Sequence, residues 1–209
     1  MRSKKKIIGI IDYKMGNIGS VASALKYLQL HFLISSDIKS LSKTDALILP
    51  GVGVFPQGME NIRKFMLDKF LIDEAKNKQK PFLGICLGMQ LLADSSEENC
   101  ITKGLGFISG KVLRMKSKKK FQIPHVGWNN INFKTENKLI KNLTNGDNFY
   151  FDHSYKFVPT RRNNLKATSN HGEKFAAIVS HKNIYGTQFH PEKSQRNGLK
   201  LLRNFSNLA

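Results

Sequence analysis

A chain of 209 residues, 40% of them hydrophobic, is long enough to bury one substantial core, so a single domain over residues 1–209 is expected without disulfide staples. Lys and Arg outnumber Asp and Glu 34 to 15, for a formal net charge of +19, but the cations are scattered, cluster only at residues 2–6 and 116–120, and accompany no nucleic-acid module; a Lys-rich solvated surface is expected rather than a nucleic-acid groove. No stretch reaches the roughly twenty uninterrupted apolar residues of a membrane-spanning helix, and the apolar run after the basic N-terminal stretch breaks at Asp12, too early for a secretory signal, which points to a cytoplasmic protein.

In chain order, Ile7–Ile11 is a predicted strand, and Val21, Leu25 and Leu28 recur at helical spacing within a predicted helix over residues 18–30. Residues 32–34 form a second predicted strand. Residues 46–49 form a third, ended by Pro50 and the Gly51-Val52-Gly53 loop, and a helix over residues 59–77 follows. Residues 81–85 return as a strand, so the first half alternates strand and helix as βαβ units of a parallel sheet do. The second half differs. Residues 112–115, 149–151, 166–168, 176–179 and 184–189 look like strands without long helices between them, which implies antiparallel members, and a closing helix over residues 198–207 presents Leu199, Leu202 and Phe205 to the sheet.

Two cysteines occur, Cys86 and Cys100, outside any Cys-x-x-Cys pair, which disfavours a zinc site or disulfide framework and leaves a free thiol. Gly84-Ile85-Cys86-Leu87-Gly88 has the form of a nucleophile elbow, where small neighbours let a side chain sit on a sharp strand-to-helix turn. The helix that follows points N–H groups at the sulfur and favours the thiolate. A buried structural cysteine is the alternative for Cys86 and the default for Cys100. A cysteine attacking an amide needs a proton carrier. His190 suits that role, because Gln188-Phe189-His190-Pro191-Glu192-Lys193 places it just past an apolar strand with Glu192 two residues on, able to orient the ring and stabilise its charged form. His31 and His171 read as loop or surface residues and His181 as a solvated turn residue; His125 and His153 lie in motif-like contexts.

Gly84 to Gln90 (G-I-C-L-G-M-Q) taken with Gln188 to Lys193 (Q-F-H-P-E-K) resembles the class I glutamine amidotransferases. Ile11-Asp12-Tyr13, Gly16-Asn17, Pro50-Gly51-Val52-Gly53, Gly127-Trp128-Asn129 and His153-Ser154-Tyr155 extend the resemblance over essentially the whole chain, toward the glutaminase subunits of imidazole glycerol phosphate synthase. The resemblance implies an α/β, flavodoxin-like three-layer core with a mostly parallel, mixed sheet, hydrolysis of glutamine to glutamate, and delivery of ammonia to a barrel-shaped cyclase in a heterodimer, with no metal or organic cofactor. Carried over, Cys86 is the nucleophile, His190 the acid and base, and Glu192 the orienting carboxylate. Leu87 and the Gly51-Val52-Gly53 loop supply the oxyanion hole. Gln90, Glu98, Tyr150, Ser154 and Tyr155 line the glutamine pocket, with Glu98 toward the substrate ammonium, and Trp128 faces the cyclase. Structural alternatives are a solvent-facing Gln90 and core positions for Tyr150 and Trp128.

The chain departs from the family's usual residues at Lys14, Val126 and Asp152, none of them in the triad. These departures leave a second acceptor open, a surface-sugar amidation synthase; a regulatory subunit without catalysis is the rival of another class, disfavoured by the intact triad. Low activity without the partner is expected, because an oxyanion loop that must reorient polarises the carbonyl poorly until then.

Overall fold

The computed structural model describes residues 5–117, 121–133 and 137–209, so the ends of both basic clusters, residues 2–4 and 118–120, lie outside the described residues. The chain opens with β1 (Ile7–Ile11), α1 (Ile18–Tyr27), β2 (His31–Ser35), α2 (Ile38–Ser42) and β3 (Ala46–Gly51). Helices α3 (Phe55–Lys64) and α4 (Leu67–Ile72) lead through a π-helical turn at Asp73–Asn77 into β4 (Phe82–Cys86), and α5 (Leu87–Leu91) begins at the next residue. Short strands β5 (Ser95–Ser96) and β6 (Thr102–Lys103) precede β7 (Gly110–Arg114), β8 (His125–Asn130), β9 (Asn148–His153) and β10 (Tyr155–Pro159). Then come β11 (Leu165–Asn170), β12 (Lys174–His181), β13 (Ile184–Thr187) and α6 (Gln195–Ser206).

The central sheet has seven strands in the order β11-β12-β13-β4-β3-β1-β2. Strands β2, β1, β3, β4 and β13 run parallel, while β12 is antiparallel to both of its neighbours, β13 and β11. The order 2-1-3-4 followed by another parallel strand is that of flavodoxin-like doubly wound sheets, which bind ligands beyond the carboxyl ends of their strands. Every residue of β3 and β4 is buried, as strands covered on both faces must be. Alternation sends Ile8, Ile10, Ala46, Ile48, Leu83 and Ile85 into a core shared with α1 and α6, and Leu47, Leu49 and Phe82 into the opposite core under α3, α4 and α5. A second sheet (β10-β7-β5-β6) and a two-stranded β8-β9 ribbon flank these layers. Among the described residues, no helix is long and apolar enough to cross a membrane.

Several boundaries differ from expectation. The helix expected over residues 59–77 starts earlier, at Phe55 with Pro56 in its first turn, and is interrupted where Met66 adopts φ 55°, a left-handed conformation that ends an α-helix. Strand β3 continues through Pro50 to Gly51. The β1 ladder stops at Ile48 while the β4 ladder runs on to Gly51, so proline meets a strand with one paired edge, where its missing N–H is tolerated. Helix α1 closes at Tyr27, and the last predicted strand ends at Thr187, freeing residues 188–190 to turn toward the site.

Candidate active site

Cys86 is the last residue of β4 and the cap of α5, at φ 53° and ψ −106°. Such a conformation costs a non-glycine residue roughly 1–3 kcal/mol and persists only where its surroundings impose it. Close backbone packing does so here. A Cβ on Gly88 would lie 1.8 Å from the Leu49 carbonyl oxygen, and one on Gly84 would lie 2.5 Å from the Gly88 carbonyl oxygen, so only glycine at both positions lets the turn close against β3. The Cys86 side chain is nearly buried; its thiol faces the Asp152 carbonyl oxygen at 3.6 Å, and the Gln188 side-chain nitrogen lies 3.9 Å from the sulfur. Cys100, expected to be structural, is instead exposed, near Thr102 Oγ1.

His190 arrives from just beyond β13, the strand paired with β4. Its N–H donates to the Tyr150 carbonyl at 2.9 Å, and Ser194 Oγ donates to the His190 carbonyl while accepting the Tyr150 N–H at 3.0 Å, so two backbone segments clamp the residue. A 3₁₀ turn at Pro191–Lys193 folds Glu192 back, and His190 Nδ1 donates to Glu192 Oε1 at 2.7 Å. The Asn17 side-chain amide donates to the same carboxylate oxygen. With Nδ1 spent on Glu192, Nε2 is the nitrogen available for chemistry, and it is buried with no hydrogen-bond partner among the described residues. Burial works against charge on this ring, yet an anionic Cys86 sulfur and the Glu192 carboxylate outweigh it and push the His190 pKa up to about 10. The arrangement therefore favours a protonated His190 ring beside the Cys86 sulfur, a partner suited to thiol attack on a carbonyl.

A cavity of about 320 Å³ opens onto the sulfur. Val52, Gly53, Leu87, Gln90, Glu98, Ser154 and Tyr155 line it together with Asp152 and His153. Glu98 Oε2 accepts the Phe55 N–H at 2.8 Å, at the start of α3. Burial raises the Glu98 pKa against that hydrogen bond, so a cationic ligand group would relieve a carboxylate held partly out of water. Gln90 does not face solvent; its buried side-chain nitrogen donates to the Tyr155 carbonyl at 3.1 Å and to Gln188 Oε1 at 3.3 Å.

Residues 10–208 match the sequence model of the family described as glutamine amidotransferase class-I. The chain belongs to this family. Its relatives include a protein named imidazole glycerol phosphate synthase subunit HisH 2 from Methanococcus maripaludis, 45% identical over 199 residues (95% of this chain, 98% of the relative). Subunit HisH of a Geobacillus species is 45% identical over 206 residues (97% of each chain). Among solved structures, a putative GMP synthase subunit from Thermoplasma acidophilum superposes with a TM-score of 0.77 at 21% identity, over 99% of this chain and 94% of that one; at that identity the likeness speaks to fold alone.

Within this amidotransferase, Tyr150, Val52 and Gly51 sit otherwise than expected. The Tyr150 side chain does not line the cavity: it crosses from Trp128 in the β8-β9 ribbon, their rings 6.2 Å apart, with Lys193 Nζ 5.5 Å from the Tyr150 ring centre, while its backbone clamps His190. The Val52 N–H donates to the Met15 carbonyl at 2.9 Å and is not free for an oxyanion, and Gly51 pairs with Cys86 in the β3-β4 ladder, whereas Leu87 opens α5, where helical N–H groups lack internal partners. Trp128 is 49% exposed on the outer face of its ribbon, not core. His171, expected in a loop or at the surface, lies half-buried in a bend and stacks on His125 with ring centres 4.1 Å apart. Asn17 and Ser194 had no role assigned from sequence; their places beside the family's motifs were the available signal, and only the fold shows what they touch.

Proposed function

We propose that this amidotransferase is the glutaminase subunit of an imidazole glycerol phosphate synthase, working in the cytoplasm beside a barrel-shaped cyclase. Identity of 41% over 97% of the chain to subunit HisH 1 of Campylobacter jejuni, added to the two relatives above, supports this acceptor. What supports the chemistry is the approach of His190, from beyond β13, to Cys86 at the end of β4, with Glu192 on the far side of the ring and the cavity opening onto the sulfur.

In this reading Glu98 takes the glutamine ammonium and Ser154 and Tyr155 hold the rest of the amino-acid head. The Cys86 sulfur attacks the side-chain carbonyl carbon, forming a C–S bond and an oxyanion, with the thiol proton on His190 Nε2. Collapse breaks the C–N bond, and His190 delivers its proton to the departing nitrogen, which leaves as ammonia. Water, deprotonated by the same nitrogen, then adds to the thioester; the C–S bond breaks, and glutamate and the thiol are released. Glu192 holds the ring throughout. Ammonia must travel unprotonated, which requires a shielded route into the partner. The exposed outer face of the β8-β9 ribbon, with Trp128 and Val126, is the proposed docking surface. The Val52-to-Met15 hydrogen bond supports a resting state in which only part of the oxyanion hole is available.

Glutamate formation by the chain alone, with its candidate cyclase, and with the cyclase plus the phosphoribulosyl formimino substrate tests the proposal. Hydrolysis should be slow alone and rise at least about 10²-fold in the full mixture, as completion of an oxyanion hole predicts. Full-speed turnover by the isolated chain would remove the gating, and no response to the formimino substrate would remove the acceptor.

A further inference from the structure

The carboxamide of Gln188 is a buried polar group at the nucleophile to which the scheme above gives no role. It is 0% exposed and follows β13, where the Gln188 N–H is fixed on the Ala177 carbonyl at 2.9 Å. Its orientation follows from the donors and acceptors around it. The Tyr155 carbonyl can only accept, so the Gln90 group 3.1 Å away is its NH₂. That same NH₂ meets Gln188 at 3.3 Å, which makes the Gln188 atom there its oxygen. The Gln188 NH₂ is thereby turned to the Cys86 sulfur, at 3.9 Å. On another side of the sulfur, 3.6 Å away, is the Asp152 carbonyl oxygen, which can accept a thiol proton but repels a thiolate.

We infer that Gln188 is a positioning residue that holds the Cys86 sulfur as an anion in line with His190, and that Gln90 fixes which end of the Gln188 amide faces the sulfur. The inference rests on Cys86 being the nucleophile. When the thiol proton moves to His190, Asp152 loses its donor and gains a repulsive neighbour; the Gln188 NH₂ then supplies the compensating hydrogen bond. The titratable groups around this sulfur are His190 with Glu192 behind it, Tyr13 beyond β1, Asp152 and His153 of β9, and Glu98 and Tyr155 across the cavity. All of them stay unchanged in the variants below.

The test uses Gln188→Leu and Gln188→Glu in a Cys100→Ser background, which removes the exposed second thiol. Iodoacetamide alkylation of Cys86 is followed against pH by mass spectrometry, and kcat and KM for glutamine are measured in the cyclase complex. With Gln188→Leu, the alkylation midpoint should rise by about one pH unit and kcat should fall about tenfold, the effect of losing one hydrogen bond to a charged group, with KM within about twofold. Gln188→Glu keeps the shape but puts a second oxygen toward the sulfur, so its midpoint should rise further. If packing alone mattered, the isosteric Glu variant would match wild type, and an unchanged midpoint in that variant overturns the inference even if the Leu variant fails to fold. Cys86→Ser separates the two readings: a serine variant that still hydrolyses glutamine removes the nucleophile itself, whereas an inactive one beside unaffected Gln188 variants removes only the role given to Gln188.

Discussion

Two loops leave the carboxyl edge of the central sheet side by side, the Cys86 elbow after β4 and the segment from Gly51 to Val54 after β3, and they are held in opposite ways. The elbow is strained and kept by backbone atoms with nowhere to go, the Leu49 carbonyl against Gly88 and the Gly88 carbonyl against Gly84. Its neighbour is held at Val52 by one hydrogen bond to Met15, with Val52 38% exposed and Gly53 at φ 109°. One such bond contributes about 1 kcal/mol, an amount that docking a partner readily supplies. In the proposed function the elbow is thus built before any ligand arrives, while the donors proposed to stabilise negative charge depend on what moves Val52.

The hardest break is Gly88→Ala. Its methyl group meets the Leu49 carbonyl, so urea unfolding should show a loss of roughly 4 kcal/mol or more, at the extreme of single substitutions. A well-folded, active Gly88→Ala would mean that the elbow is not fixed by this contact. Glu192→Gln should leave the elbow intact but lower kcat in the complex about 10³-fold, because His190 loses the carboxylate that fixes its tautomer and supports its charge. A loss below about tenfold would reduce Glu192 to a packing residue. Glu98→Gln addresses the cavity alone: KM for glutamine should rise roughly 10- to 100-fold, the worth of a charge-assisted hydrogen bond, with kcat little changed.

On the looser loop, Gly53→Ala should cost only about 1–2 kcal/mol of stability, since the backbone conformation is strained but the nearest atom, 3.3 Å from the new methyl, is the flexible tip of Met15. Partner-stimulated turnover should nevertheless fall while iodoacetamide still alkylates Cys86 at the wild-type rate. If both readouts moved together, the two loops would not be independent.

A separate effect concerns acid. Burial pushes the His153 pKa down to about 3 and the His125 pKa down to about 4. His153 Nδ1 donates to the Tyr155 carbonyl, so its Nε2 accepts from His125 Nδ1 at 3.1 Å, and both rings are satisfied only when neutral. Unfolded histidines near 6.5 bind protons first as pH falls, so the unfolded state holds more protons and stability drops from pH 6.5 downward, by about 1.4 kcal/mol per pH unit for His153. Urea midpoints at pH 7.5, 6 and 5 should trace this decline, and His125→Asn should flatten it.

Much of this was legible along the chain. Strands β1 and β4 and the burial of α1 and α6 follow from apolar periodicity, a local property that each segment carries by itself. The β8-β9 ribbon was only partly anticipated, because β8 mixes His125, Gly127 and Asn129 with Val126 and Trp128 and shows no apolar alternation. Met66 gives no local sign that it ends a helix. Glu98 could be named as a ligand group, but its hold on the Phe55 N–H spans 43 residues and could not be read.

The sequence by itself determined the order of the central-sheet strands and of helices α1 and α6 along the chain, the glycine spacing that permits a bent cysteine, and the short link that brings Glu192 back to His190, because each depends on residues within a few positions of one another. Only the tertiary structure decided that β13 lies beside β4, which sets His190 by Cys86. It also decided that Asn17 joins Glu192, that Ser194 ties His190 to β9, and that Met15 holds Val52. Those contacts join segments far apart in the chain, and their energy comes from burying two faces of one sheet, a gain that no single segment encodes.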